Sequence, residues 1–217
     1  MQLKLCGNHS QHDTICSVES NADYIGFVFA PSKRQTTPND VRKWLNETPL
    51  CNDQQVVGVF VNPSIEKIAE TLRSVPLDII QLHGNESSEF VAQIKNNFSC
   101  KLWKTIHHEQ AADQKMASYK EYVDLFLIDN KSQFAWGGTG SSFDWTSIPN
   151  YMSAAHALGK PCFIAGGITP DNVAELLSRY QPDGIDLASG VETNGQKDKR
   201  KIIQLRERIE SHEQQFT

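Results

Sequence analysis

Eight short apolar runs recur along the chain, at residues 3–6, 24–29, 56–61, 79–82, 101–106, 125–128, 162–165 and 184–187. They are too short and too uniformly apolar to be amphipathic helices, and several end at Gly, Pro or a charged residue. A strand without in/out alternation belongs to a parallel sheet that is covered on both faces. The covering segments lie between the runs. In SIEKIAETLRS, Ile65, Ile68, Ala69 and Leu72 fall at i, i+3, i+4 and i+7, which predicts a helix over 64–74 with Ser64 as its N-cap. Helices are also expected over 38–46, 87–96, 170–180 and 199–209. Thr37 can cap the first of these, and Thr169 precedes a Pro170 that suits a first helical position. A βα repeat with eight strands predicts an α/β fold of the (βα)₈ or TIM-barrel class, because a doubly wound sheet of about five or six strands leaves strands unplaced. Such a barrel needs at least roughly 200 residues. The 217 residues show no linker, low-complexity stretch or break in composition, so residues 1–217 are expected to form a single catalytic domain.

The charge balance narrows the range of partners. A net charge of -5 argues against a nucleic-acid binder, which needs a basic face, but leaves room for a local basic pocket. The one dense run of cations, 197–201, is expected to be a solvated helix start. Five cysteines, none at CxxC spacing, suit free thiols in a reducing compartment rather than a disulfide framework or zinc site. The opening MQLKLCGNHS has no apolar core of a signal peptide, and no stretch approaches ~20 apolar residues, so a cytoplasmic protein without membrane contact is expected. There is no HExxH or His-x-His, and His107 and His108 are adjacent, so on a strand they point to opposite faces. No metal site is expected.

Barrel active sites lie at the C-terminal ends of the strands. The residues that end these runs are therefore the candidates. Gly166-Gly167 and Ser189-Gly190 follow the last two runs, where barrels commonly bind phosphate through backbone N–H groups. As single features they are also ordinary turn residues; their pairing after adjacent strands favours a phosphorylated substrate. The segment 130–143 contains Gly137-Gly138-Thr139-Gly140, which lacks the Lys of a phosphate-binding P-loop. A lid, or a further phosphate or substrate contact at Gly138, fits it better. Cys6 is either a small buried hydrophobe or, as a thiolate, a base. Asp129, directly after an apolar run, either caps its loop or transfers a proton. Arg34 is a surface charge or a planar grip for a carboxylate. Gln81 and His83 are core-edge hydrogen-bonding residues or substrate contacts, and Asp186 ends the eighth run.

KLCG, GFVFAPSKR, VGVFVN, LDIIQLHGNE, IDN with GGTGSSFDW, FIAGGITPDNV and GIDLASGVETNGQKD occur in this order, between Lys4 and Asp198. Each motif alone is ordinary, but the ordered set closely resembles the phosphoribosylanthranilate isomerase family of tryptophan biosynthesis. The resemblance implies a (βα)₈ barrel that carries out an Amadori rearrangement of a phosphoribosyl anthranilate without cofactor or metal, as a monomer or homodimer. It implies Asp129 as the general acid, Cys6 as the general base, Arg34 on the anthranilate carboxylate, Asp186 near the sugar hydroxyls, and phosphate held by Ser189 and the glycines after the last two strands. Asn8-His9 and Lys33 depart from the family's usual residues without removing any of these groups. Three competitors are disfavoured. A related histidine-pathway isomerase has a carboxylate where this chain has Cys6. A metal-dependent epimerase needs His and Asp ligands on several strand ends. A non-catalytic barrel would lack the acid or the base.

Overall fold

The computed structural model describes residues 1–51, 53–109, 112–129 and 144–214. Eight parallel strands close into a barrel in sequence order: β1 (Gln2–Leu5), β2 (Tyr24–Val28), β3 (Gln55–Phe60), β4 (Ile79–Leu82), β5 (Lys101–His107), β6 (Leu125–Asp129), β7 (Cys162–Ala165) and β8 (Gly184–Leu187). β8 returns to β1 with Lys4 opposite Asp186, which closes the ring. All eight expected strands are present, each within a residue or two of its expected bounds. β1 stops at Leu5, so Cys6 is the first residue beyond it.

Among the described residues, eight α-helices accompany the strands: α1 (Gln11–Glu19), α2 (Pro38–Glu47), α3 (Ile65–Ser74), α4 (Ser88–Asn97), α5 (Ala112–Tyr119), α6 (Ile148–Ala157), α7 (Val173–Tyr180) and α8 (Lys199–Gln214). Ser64 caps α3 by accepting from Lys67 N–H, and Thr37 caps α2 from Asp40 N–H. Three helices, α1, α5 and α6, lie outside those expected from the sequence, although α5 buries Ala112, Met116 and Tyr119 at helical spacing. In α1 the buried face carries Asp13, Thr14 and Ser17 beside Cys16 and Val18, which hides the apolar period. The helix expected from Pro170 starts only at Val173, because Asn172 bonds back to Thr169 N–H and to the Gly167 carbonyl and holds 167–172 as a turn. The run 197–201 is not simply a solvated helix start. Lys197 pairs with Glu192 in a short antiparallel ribbon, β9 (Glu192–Thr193) with β10 (Gln196–Lys197), and its side chain is fully buried.

Burial is divided between two cores. The larger lies between the strands and the helices. The smaller fills the barrel interior with Tyr24, Val57, Val59, Ile79, Trp103, Leu125, Leu127, Phe163 and Ala165, together with Cys6. Tyr24, Trp103 and Phe163 pack against one another at 4.7–5.8 Å between ring centroids. Gly184 leaves space for this group, because a side-chain carbon there would strike the Phe163 ring. Among the described residues, no helix is long and apolar enough to cross a membrane.

Candidate active site

Strand side chains alternate between faces, so Lys4 and Cys6 share one face, as do Gln81 and His83, Thr105 and His107, and Leu127 and Asp129. Cys6 and Leu127 belong to the interior core. Polar groups at the strand ends therefore stand above an apolar plug. Cys6 is 9% exposed. Its backbone N–H donates to the Leu187 carbonyl at 2.8 Å, which ties it to the end of β8. Lys4 Nζ donates to Asp186 Oδ2 at 2.9 Å, and its charge pulls on the nearby Cys6 thiol. Lys197 Nζ donates to the carbonyls of Cys6 (2.7 Å) and Ala188 (3.0 Å) and to Glu192 Oε1 (3.0 Å). Burial pushes the Cys6 thiol above its ordinary pKa, against the pull of Lys4. Burial also opposes the Lys4 ammonium, but Asp186 and Cys6 outweigh it and raise the Lys4 pKa. Lys4 and Lys197 had no place among the expected site residues. Parity was the available signal for Lys4, which lies two residues before Cys6 on the same strand face.

Arg34 is not a free surface charge. Its Nε and Nη2 bond Glu192 side-on at 2.8 and 2.6 Å, and those bonds hold the guanidinium charged. Glu192 loses solvation on burial, yet Arg34 and Lys197 bring its pKa below the ordinary carboxylate value. Gly7, at φ +77°, provides the space for this pair, because a side-chain carbon there would overlap Arg34 Cδ. Arg34, Glu192, His9, Lys33 and Asn194 line an open cavity of about 460 Å³.

On the other side of the mouth, His83 Nε2 lies 3.3 Å from Asp129 Oδ2. The Gln81 amide nitrogen donates to His83 Nδ1 at 3.2 Å and to Thr105 Oγ1 at 3.2 Å. Nδ1 therefore accepts, which leaves the N–H on Nε2, facing Asp129. Neighbouring His107 holds the His83 carbonyl at 3.1 Å, and burial lowers its pKa to about 4, so it adds no cation beside Asp129 at neutral pH. Behind this wall Lys104 pairs with Glu86 at 3.0 Å and donates to the carbonyls of Leu82, Gly84 and Thr105, which fixes the loop that carries His83.

Gly166 and Gly167 adopt φ values of 85° and 70°. Ser189 and Gly190 lie in a short 3₁₀ turn, Ser189–Val191, after β8. The two loops touch: a side-chain carbon at Gly190 would overlap the Ile168 carbonyl oxygen. The structure thus brings together Gly166, Gly167, Ser189 and Gly190 on one side, and Gln81, His83 and Asp129 on another. Cys6, Asp186 and Arg34 are linked through Lys4, Lys197 and Glu192. Gly138 lies outside the described residues. Among the described residues, no group of three or more His, Cys, Asp or Glu side chains is arranged to hold a metal ion.

A family model described as N-(5'phosphoribosyl)anthranilate (PRA) isomerase matches residues 3–208. The N-(5'-phosphoribosyl)anthranilate isomerase of Bacillus subtilis (strain 168) is 47% identical over 207 residues, which are 95% of this chain and 94% of that protein. The crystal structure of phosphoribosyl anthranilate isomerase from Thermotoga maritima has a TM-score of 0.83 at 32% identity, over 97% of this chain and 99% of that one. A further crystal structure, of phosphoribosyl anthranilate isomerase in complex with reduced 1-(o-carboxyphenylamino)-1-deoxyribulose 5-phosphate, has a TM-score of 0.80 at 30% identity over 97% and 99%. The expectation drawn from the ordered motifs is met, and the chain belongs to the N-(5'-phosphoribosyl)anthranilate isomerase family of tryptophan biosynthesis.

Proposed function

We propose that this chain converts N-(5'-phosphoribosyl)anthranilate to 1-(o-carboxyphenylamino)-1-deoxyribulose 5-phosphate by general acid and base catalysis. The observation that carries the reading is the position of Cys6 and Asp129 at the C-terminal ends of β1 and β6 in one barrel mouth. Asp129 protonates the ribose ring oxygen, a poor leaving group until then, and the ring opens to an iminium. The iminium acidifies the neighbouring C2–H, and Cys6 removes that proton. The resulting enolamine tautomerises to the ketone. His83, with its N–H towards Asp129, steadies the acid, and Gln81 holds His83. Glu192 uses two of the five N–H donors of Arg34, so Nη1 remains for the anthranilate carboxylate. Asp186 Oδ2 is taken by Lys4 while Oδ1 has no hydrogen-bond partner among the described residues, which suits it to accept from a sugar hydroxyl. Backbone N–H groups around Gly166, Gly167, Ser189 and Gly190 take the phosphate, and Gly138 is a further phosphate contact in this reading. No step calls for a cofactor or metal.

The binding of a reduced product analogue by a solved relative supports the substrate assignment. Every group that the scheme uses comes from one chain, so a monomer suffices for the chemistry. The cysteines at 6, 16, 51, 100 and 162 are all unpaired, and on that ground we assign the enzyme to the reducing cytoplasm. The test is fluorescence decay of phosphoribosylanthranilate generated in situ, with pure protein added. Absence of consumption removes the substrate assignment. Cys6→Ser and Asp129→Asn should each lower turnover by about 10²–10⁴-fold with the fold intact. Wild-type turnover in either variant removes that residue from the mechanism.

A further inference from the structure

Taking Cys6 as the base leaves a physical problem. A thiol removes a proton only as the thiolate, and burial holds the Cys6 thiol above its ordinary pKa. Something in the site must keep enough thiolate available and aim it. The charged side chains that act on the sulfur are Lys4 from β1, Asp186 from β8, Lys197 from β10 and Arg34 from the loop after β2. Of these, Arg34 is neutralised by Glu192 at 2.6 Å. Asp13 is engaged by His9 at 3.0 Å and by the Lys197 N–H at 2.8 Å. With the Arg34–Glu192 pair cancelled, two cations face one anion around the sulfur.

The two cations are not equivalent. Lys197 is committed to the Cys6 and Ala188 carbonyls and to Glu192, and burial lowers its pKa. Lys4 makes a single side-chain hydrogen bond among the described residues, to Asp186 Oδ2 at 2.9 Å, and its charge favours the ionised form of the thiol. Its side chain is 0% exposed, so no water screens the pair. Gly26 on β2 closes the arrangement from the other side. A side-chain carbon there would lie 2.9 Å from Cys6 Sγ and 3.2 Å from Lys4 Cε, so the sulfur and the lysine stem lie against the same bare stretch of backbone. We propose that Lys4 is the positioning residue of the reaction: it spans Asp186 and the Cys6 sulfur, and its ammonium holds that sulfur charged and oriented towards the substrate. Lys4 keeps its proton throughout. The proton taken from C2 resides on sulfur, and the lysine charge lowers the cost of the anion before and after that transfer.

The inference rests on Cys6 as the base, but the sulfur can be read without turnover. Carbamidomethylation by iodoacetamide, quantified by mass spectrometry on the Cys6 peptide at a series of pH values, reports its thiolate fraction. Lys4→Met should slow alkylation at pH 8 by at least ~10-fold, the equivalent of one unit of pKa. Asp186→Asn, which leaves the lysine and removes the anion, should speed it. Lys4→Met/Asp186→Asn restores the charge balance of the buried pair and guards against misfolding of the single variant; its rate should fall between those of the two single variants. A purely structural lysine would leave Lys4→Met alkylated at the wild-type rate. Coincident pH profiles for wild type and Lys4→Met, with native circular dichroism, overturn the proposal. An active Cys6→Ser variant would instead overturn the role of Cys6 and leave the alkylation result standing, so the two failures are distinguishable.

Discussion

Replacing Glu192 by Gln tests the charged network at the mouth through stability rather than turnover. Glu192 accepts from Arg34 at 2.8 and 2.6 Å and from Lys197 at 3.0 Å, with its side chain 6% exposed. Gln keeps one acceptor oxygen, loses one Arg34 bond, and removes the anion that opposes the Lys197 charge. Breaking a buried pair by removing one partner costs about 3–5 kcal/mol. Lys197 keeps two carbonyl acceptors, which puts the expected loss at the lower end, about 3 kcal/mol, or a fall of roughly 6–12 °C in Tm for a domain of this size. The sign of the pH dependence follows from the lowered pKa of Glu192. Its contribution is complete above the ordinary value of 4.5 and is lost as pH falls through the depressed folded value. Thermal unfolding followed by circular dichroism from pH 7 to pH 3 should therefore show a gap between wild type and Glu192→Gln that is widest near neutrality and narrows below pH 4.5. A neutral-pH gap below about 2 °C, under 1 kcal/mol, or a gap that stays constant into acid, refutes the argument.

Two backbone contacts make further predictions. Gly190→Ala forces a methyl group into the Ile168 carbonyl and spreads the loops after β7 and β8; steady-state kinetics should show KM raised at least ~10-fold, about 1.4 kcal/mol, with a smaller effect on kcat. An unchanged KM would take the phosphate away from those loops. Gly26→Ala puts a methyl group 2.9 Å from Cys6 Sγ and 3.1 Å from its Cα, so the sulfur must move, and kcat should fall by about 10²-fold while KM holds. Wild-type kcat in that variant would show that the position of the sulfur is not critical.

Much of this architecture is written in local pattern. The eight strands are legible because both faces of each are dry, and burial on both faces yields apolar runs that no amphipathic helix would show. The same property hides the site. β1 reads QLKL, and a lysine in a four-residue strand looks like an edge charge until the barrel closes and Lys4 comes opposite Asp186, 182 residues away in the chain. Lys197 is harder still. It stands in a run of cations that suggests solvent, and only the β9–β10 ribbon folds its side chain inward onto carbonyls from two other loops. Helix α1 is hidden for a related reason: with polar side chains on its buried face it loses its apolar period.

The residues that the sequence could not assign are the ones whose partners are remote. Cys6, Asp129 and Arg34 stand out in the chain because their chemistry is rare at a strand end. Glu192, Lys4 and Lys197 are common residue types whose function lies in the contact alone. A buried lysine is costly unless it is paired or well hydrogen-bonded, and among the described residues three are buried: Lys4, Lys104 and Lys197. Lys104 lies on the outer face of β5, where Glu86 and three backbone carbonyls fully account for it as a brace for the His83 loop. Lys197 is likewise consumed by carbonyls and Glu192. Lys4 differs from both, because its ammonium makes a single hydrogen bond, to the Asp186 carboxylate, beside the Cys6 thiol. A fold that needed only a brace at that point would be served as well by an apolar pair of matching volume, as buried ion pairs generally can be. Under the proposed mechanism, the charge beside Cys6 serves the sulfur instead.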